Sequence, residues 1–400
     1  MRVGFFMQDL PPETGGGHTF ELDALNALLR NRGQSSHAFV VLCHEATAAW
    51  VRENFGADVD IEVLPHAGRA SLLRDAALRC MQSLRATFGG ASPLDRIARA
   101  ARLDFIWFAG SGTTFTNLPY LTVVWDLQHR STPWFPEFSG NGTWDRREMT
   151  LWFLRRASAV ITGTQVGRDE LTKWIGVPDE RILVLPHPTP SFARVPQAQA
   201  VPAMPPSLST KRRFLFYPAQ FWPHKNHVNL ILGFAQAVRR HGVDFDLVLC
   251  GADKGNRKHV ERCIATERMQ DRVHIIGFVS RDELVSLYRN AIALTYLSWG
   301  GPENLPPLEA FALGCPVIAA RVPGADEQLG DAALLVDPAA PSQIAEAIAQ
   351  LHDSTDLRAE LAKRGQLRAE RWSGDDYVHG VFAFLNRFEA IARCWARDTD

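Results

Sequence analysis

The chain is short of three things, and each shortage excludes a class of protein. Net charge is one: 43 Lys and Arg against 44 Asp and Glu leave −1 at pH 7, so no global basic footprint points to nucleic acid. Cysteine is the second. The six, at 43, 80, 250, 263, 315 and 394, are scattered without metal-ligand spacing and mostly in apolar contexts, as buried free thiols of a reducing compartment would be. Long apolar runs are the third: none can span a bilayer, and the opening MRVGFFMQDL turns polar too soon for a signal peptide. A cytoplasmic protein is the expectation.

With 400 residues, 46% of them apolar, the chain exceeds what one hydrophobic core usually holds, which predicts two domains. In the first half MRVGFFM, HAFVVLC, DIEVLP, DFIWFAG, LTVVWD and AVITGT read as short apolar strands. Helical patterns alternate with most of them, and alternation argues for a parallel sheet covered on both faces. From Val195 to Arg213 the sequence VPQAQAVPAMPPSLSTKRR loses all apolar period and reads as a linker. The alternation resumes with RRFLFYPA, FDLVLCG, RVHIIGFV, IALTYLS and CPVIAA, and Ser280 with Glu283 forms a capping box before LVSLY. The fold class is therefore α/β, two doubly wound Rossmann-like domains in series. Ligands of such sheets collect at the carboxyl ends of the strands, here in an interdomain cleft.

The stretch GGPENLPPLEAFALGCPVIA concentrates the chemistry. Proline lacks an N–H and fixes φ, so Pro306 and Pro307 suit the first turn of a helix with Asn304 as N-cap. The donors that the Asn304 side chain would cap belong to those prolines, which frees its amide for another partner. The helix stops at Gly314 and an apolar strand follows; a loop and helix N-terminus feeding a buried strand is an anion site.

Four segments in this order, YPAQFWPHKNH, CGADKGN, RVHIIGFV and GPENLPPLEAFALGCPVIA, resemble those of the retaining glycosyltransferases of family 4, which have the two-Rossmann GT-B fold. The resemblance covers essentially the whole chain and is strongest to the branch with a GPxNLPPLEA signature, which includes mannosyltransferases of bacterial surface-polysaccharide assembly. It implies transfer of a hexose, with mannose from GDP-mannose the leading case, to a glycan or lipid-linked acceptor. It implies further that Lys225 binds the donor diphosphate and that Glu309 accepts hydrogen bonds from the donor ribose. Asn304 and Leu305 would hold phosphates or sugar hydroxyls, and Gly16 and Gly17 of the glycine-rich loop would approach the reacting centre. Three positions depart from the family pattern: Gln220 stands for an arginine, Gly301 for the first glutamate of the paired motif, and Trp125 for a histidine. Glu303 is then the carboxylate nearest the sugar, while Asp126 and His129 remain to orient donor or acceptor. Ile276 and Phe278 are placed to read the base, and Gly251 and Lys254 to line the cleft.

The family mechanism uses front-face attack with the leaving phosphate helping to deprotonate the acceptor, which fits the lack of a clear pair of catalytic carboxylates. No metal is expected, since the sequence is read as having no Asp-x-Asp clamp and Lys225 with helix N-termini would replace it, and no cofactor is expected. The expected domains are 1–195 on the acceptor side, a linker 196–212, 213–375 for the nucleotide sugar, and 376–400 as a helix returning to the first domain. The arginine-rich stretch from Arg69 to Arg102, with interleaved apolar residues, reads either as a helix packed on the sheet or as a peripheral contact with the inner membrane surface. Two other functional classes remain open on the sequence: a nucleotide-sugar epimerase or hydrolase on the same fold, and a non-catalytic nucleotide-sugar-binding protein.

Overall fold

The computed structural model describes residues 1–8, 15–64, 92–194, 203–208 and 212–395. Most of the arginine-rich stretch and of the proposed linker lies outside them, as does the Pro12–Thr14 part of the glycine-rich loop. Among the described residues, no helix is long and apolar enough to cross a membrane.

Two parallel sheets form the two domains. The first has seven strands, β1 (Arg2–Phe6), β2 (Ala38–Cys43), β3 (Ile61–Val63), β4 (Phe105–Phe108), β5 (Tyr120–Val123), β6 (Ala159–Thr162) and β7 (Ile182–Val184), in the order 3-2-1-4-5-6-7. The second has six, β8 (Phe214–Pro218), β9 (Asp246–Cys250), β10 (Val273–Ile275), β11 (Ala293–Tyr296), β12 (Val317–Ala320) and β13 (Ala333–Val336), in the order 10-9-8-11-12-13. Both orders reverse beside the first strand of the domain, which opens a crevice at the strand ends there.

The strand sequences explain why both faces must be covered. In β4, Phe105 and Trp107 join one apolar cluster while Ile106 and Phe108 join another on the opposite side. A strand apolar on both faces is stable only with helices on both. One of those coverings comes from the far end of the chain: the helix Gly374–Ala392 buries Tyr377, Val378, Val381 and Leu385 in the first domain's core, beside the helix Gly16–Asn31.

Two strands escape the sequence reading, β7 and β13. Each is an edge strand of three or four residues, ILV and ALLV, too short to show a period. The segment RVHIIGFV is also strand only as far as Ile275, because Gly277 takes a left-handed φ of 78° that breaks the extended backbone. The Ser280–Glu283 capping box is present.

Candidate active site

A cavity of about 490 Å³ lies between the domains. From the first domain the helix Gly16–Asn31 points its N-terminus at it, with Gly15, Gly16 and Gly17 in the wall. Gly15 is an N-cap without a capping side chain, at φ 77°, a conformation that favours glycine. A Cβ on Gly16 would stand 3.3 Å from Leu305 Cδ1, so the helix start lies close against the second domain. Facing it, the helix Leu305–Ala312 begins with Leu305 and Pro306 in the cavity wall. Two prolines at its second and third positions leave Leu305 the only N–H donor among its first three residues.

Lys225 reaches the same cavity from the loop after β8. The loop is built to hold it: Tyr217 Oη donates to the Lys225 carbonyl at 2.5 Å, and Asn226, left-handed at φ 59°, donates its side-chain amide to Pro338 O at 2.8 Å. Lys225 Nζ donates to Tyr296 Oη at 2.9 Å and lies 3.5 Å from Ser298 Oγ. Tyr296 Oη in turn donates to Asn304 Oδ1 at 3.1 Å, and Asn304 Nδ2 to Gly301 O at 2.9 Å. The Asn304 amide thus ties the ammonium group to the loop before the helix. Among the described residues, no carboxylate lies within ion-pair distance of Lys225 Nζ. Lys225 thus has no ion-pair partner among the described residues, and it shares the cavity with two helix N-termini whose dipoles favour an anion.

Residues 204–368 match the family model described as Glycosyl transferases group 1. The match falls on the second domain, which is similar to the group 1 glycosyl transferases. The chain is similar to the O-antigen chain mannosyltransferase RfbU of Salmonella typhimurium, 25% identical over 185 residues that cover 46% of this chain and 48% of that protein. It is also similar to the D-inositol 3-phosphate glycosyltransferase of Acidothermus cellulolyticus, 28% identical over 234 residues, 56% of this chain and 52% of that protein. These matches thus span about half the length of the curated relatives. Over 97% of this chain and all of HepE from Anabaena, solved in complex with UDP-glucose, the folds agree with a TM-score of 0.67 at 17% identity. The architecture is GT-B.

Within this transferase-type fold, Glu303 has its oxygens turned onto the first domain. Oε1 accepts the His187 N–H at 2.9 Å, and Oε2 lies 3.4 Å from His187 Nδ1. A Cβ on Gly163 would stand 1.2 Å from Oε2, so the carboxyl fills the space that glycine leaves at the end of β6. Burial pushes Glu303 up to about 8 and His187 down to about 4, which leaves both neutral near pH 7. Gly163→Val is expected to destabilise the protein by about 1–3 kcal/mol through overpacking. Urea unfolding at the wild-type midpoint would refute the contact. A second bridge crosses the cavity wall: Glu137 Oε1 accepts from the His224 backbone N–H at 2.9 Å and lies 2.5 Å from His224 Nδ1. Burial works against the Glu137 carboxylate, but the His224 bonds outweigh it and hold its pKa below the usual range.

The other residues singled out in the sequence divide into two groups. Gln220 and Asp126 line the cavity; Gln220 Oε1 accepts from Trp222 Nε1 at 2.9 Å, and Asp126 Oδ1 pairs with Arg147 Nη1 at 3.0 Å. The second group is not brought to the cavity wall. Glu309 sits one turn deeper, where Tyr288 Oη donates to its Oε2 at 2.6 Å and burial raises its pKa to about 7. His129 turns to Glu148, Nε2 to Oε1 at 2.9 Å; burial, then the charge of Arg147, lower its pKa and favour the neutral ring. Gly251 serves the fold: at φ 146°, its Cβ would stand 2.3 Å from Ala219 O, so glycine permits two loops to touch. Lys254 Nζ stands 5.9 Å from the centroid of the Trp222 ring. Ile276 donates its N–H to Leu249 O at 3.0 Å, and Phe278 is exposed. The Asn304 N–H is likewise engaged, by Gln328 Oε1 at 3.0 Å. The sequence does hold three Asp-x-Asp triplets, two of them among the described residues, Asp58-Val59-Asp60 and Asp244-Phe245-Asp246; neither lines the cavity, and Asp60 pairs with Arg2 at 3.0 Å and Asp246 with Arg272 at 2.9 Å.

Sequence reasoning missed Glu137, Arg147, Gly163, His187, Trp222 and Tyr296, all at or behind the cavity wall. His224 was visible as the neighbour of Lys225 in WPHKN. Glu137, Gly163, His187 and Tyr296 had no signal, because their partners His224, Glu303 and Lys225 are 71 to 140 residues away; Arg147 meets Asp126 21 residues back, and Trp222 bonds its near neighbour Gln220.

Proposed function

We propose that the protein is a retaining, metal-independent glycosyltransferase that moves a hexose from a nucleoside-diphosphate sugar to a glycan or lipid-linked acceptor, with GDP-mannose the leading donor. The observation that carries this reading is Lys225, a cation without an ion-pair partner among the described residues, in one cavity with two helix N-termini. A diphosphate leaving group gains negative charge as the glycosidic bond breaks, and fixed donors aimed at that charge are the most effective catalytic device available. Lys225 would meet the leaving oxygens, with the Leu305 N–H and the glycine-rich helix start nearby. The bond from the anomeric carbon to phosphate breaks as the bond to the acceptor oxygen forms on the same face. The acceptor proton passes to the departing phosphate oxygen. The mannosyltransferase relatives support the sugar, and the UDP-glucose bound to HepE supports the donor class.

Thermal unfolding with UDP, GDP, ADP and their hexose conjugates tests the reading. A ligand held at about 100 times its dissociation constant stabilises the native state by about 2.7 kcal/mol. One nucleotide is expected to raise the midpoint, with release of nucleoside diphosphate from its hexose conjugate slow until acceptor is added. No shift with any nucleotide would overturn the proposal, and fast turnover without acceptor would favour a hydrolase.

A further inference from the structure

Glu303-Asn304 and Glu327-Gln328 in the second domain repeat one arrangement, a glutamate that reaches the first domain beside an amide that stays in its own. Glu303 Oε1 accepts the His187 N–H at 2.9 Å, and Glu327 accepts the Gln165 N–H on both oxygens, at 2.9 and 3.0 Å. Since Glu303 also fills the space at Gly163, the two carboxylates hold both ends of the loop that leaves β6. The amides continue the chain inward. Gln328 Oε1 accepts the Asn304 N–H at 3.0 Å while its Nε2 donates to the Asn304 carbonyl at 2.9 Å, so one planar amide holds both main-chain groups of one residue. Asn304 Oδ1 holds the Tyr296 hydroxyl, which receives the Lys225 ammonium.

This chain of contacts is stiff. Arg368 grips the helix Ala325–Leu329 from outside, donating from Nε to Gln328 O and from Nη2 to Glu327 O. At the start of that helix a Cβ on Gly324 would stand 2.4 Å from Pro302 O, which presses the helix against the loop that carries Asn304. The space left beside Tyr296, Asn304 and Gln328 is about 10 Å³, room for one water at most. Close packing of this kind transmits displacement, so a shift of Glu327 is felt at Asn304. Neither Glu327 nor Gln328 lines the cavity. Any effect they have on a ligand there passes through the neighbours of Lys225.

We propose that Glu327 and Gln328 are positioning residues that couple the contact between the two domains to the placement of Lys225, so that the ammonium is set for a nucleoside diphosphate when the cleft is closed. The inference rests on the transferase reading, in which Lys225 meets the donor diphosphate, and adds the residues that make this depend on the domain contact. Linkage makes the relation reciprocal: a diphosphate held by Lys225 strengthens the contact of Glu327 with Gln165.

Calorimetric affinities of the whole chain for GDP, GMP, UDP and UMP test this with Glu327→Ala, Gln328→Leu and, as control, Asp326→Ala, an exposed neighbour that pairs with Arg321. Glu327 is exposed, so its truncation leaves the fold intact and decides the matter even where Gln328→Leu fails to fold. Each of the first two is expected to lower the preference for diphosphate over monophosphate by roughly three- to tenfold, with monophosphate affinity within about twofold of native. Asp326→Ala is expected to keep the native preference. In a Lys225→Ala background neither substitution is expected to change the preference further, because residues that act through one partner are not additive. A merely structural role would weaken both nucleotides alike and persist without Lys225. Either result overturns the proposal. A native protein that binds diphosphate no better than monophosphate overturns the role of Lys225 and this inference with it, whereas a native preference that Glu327→Ala retains overturns this inference alone.

Discussion

Lys225→Ala is expected to lower the rate of transfer by about 10²–10³-fold, the loss typical of removing one preorganised group that meets developing charge, roughly 2.7–4 kcal/mol. The size follows from the absence of a substitute. Arg147, a second cation in the cavity wall, is engaged by Asp126, and Gln220 offers only a neutral amide where the family has an arginine. The ammonium is also pre-positioned by Tyr296, whose hydroxyl is held by Asn304. Two assays separate a binding role from a structural one: kcat/KM for the donor, and calorimetric affinity for nucleoside diphosphate against nucleoside monophosphate. The variant is expected to lose its preference for the diphosphate while unfolding at the native midpoint. Retention of both rate and preference would remove Lys225 from the site.

Glu303→Gln is expected to change how stability depends on pH. The carboxyl has a folded pKa of about 8 against a usual value of 4.5, so the folded state holds a proton that the unfolded state has released. Its contribution is fully present below 4.5, declines as pH rises through the window, and is lost above about 8. His187 acts in the opposite sense. Its folded pKa of about 4 lies below the usual 6.5, so it takes stability away as pH falls through that interval. Glutamine keeps an oxygen for the His187 N–H and adds a permanent donor for Nδ1, without the titration. The variant and the native protein should therefore be close in stability at pH 5. By pH 8 the variant should be the more stable by a few kcal/mol, since each pKa unit is worth about 1.4 kcal/mol. Urea midpoints at four pH values between 5 and 8 decide it. A difference that does not change with pH would mean that the carboxyl is ionised in the clasp. Glu309, raised to about 7, adds to the native slope in the same direction but is common to both proteins and cancels in the comparison.

The prolines after Asn304 show how far sequence could reach into the site. Pro306 and Pro307 mark a helix start wherever they stand, because ring closure removes the N–H and fixes φ whatever surrounds it. That the Asn304 amide would be released from capping followed from the same reasoning; that it would be taken up by Gly301 and Tyr296 did not. Glu309 was legible as a buried carboxylate one turn into the helix. Its partner, Tyr288, lies on another element and had no signature of its own.

His129 and Glu303 were both legible as polar groups at strand and loop ends; His129 bonds Glu148 away from the main cavity, while Glu303 lines that cavity with its oxygens engaged on the His187 side. A motif records residue type and spacing along the chain; the direction of a side chain depends on what packs beside it. For His129 that neighbour is Glu148, and for Glu303 it is the space left by Gly163. The alternation of strands and helices, the two domains, the helix caps and the lysine of the WPHKN loop are local properties, governed by hydrophobic period and backbone sterics within a dozen residues, and the sequence determined them by itself. The clasp of Glu303 on His187, the bridge from Glu137 to His224 and the reach of Glu327 to Gln165 join residues that only folding makes neighbours, so tertiary structure alone decided them.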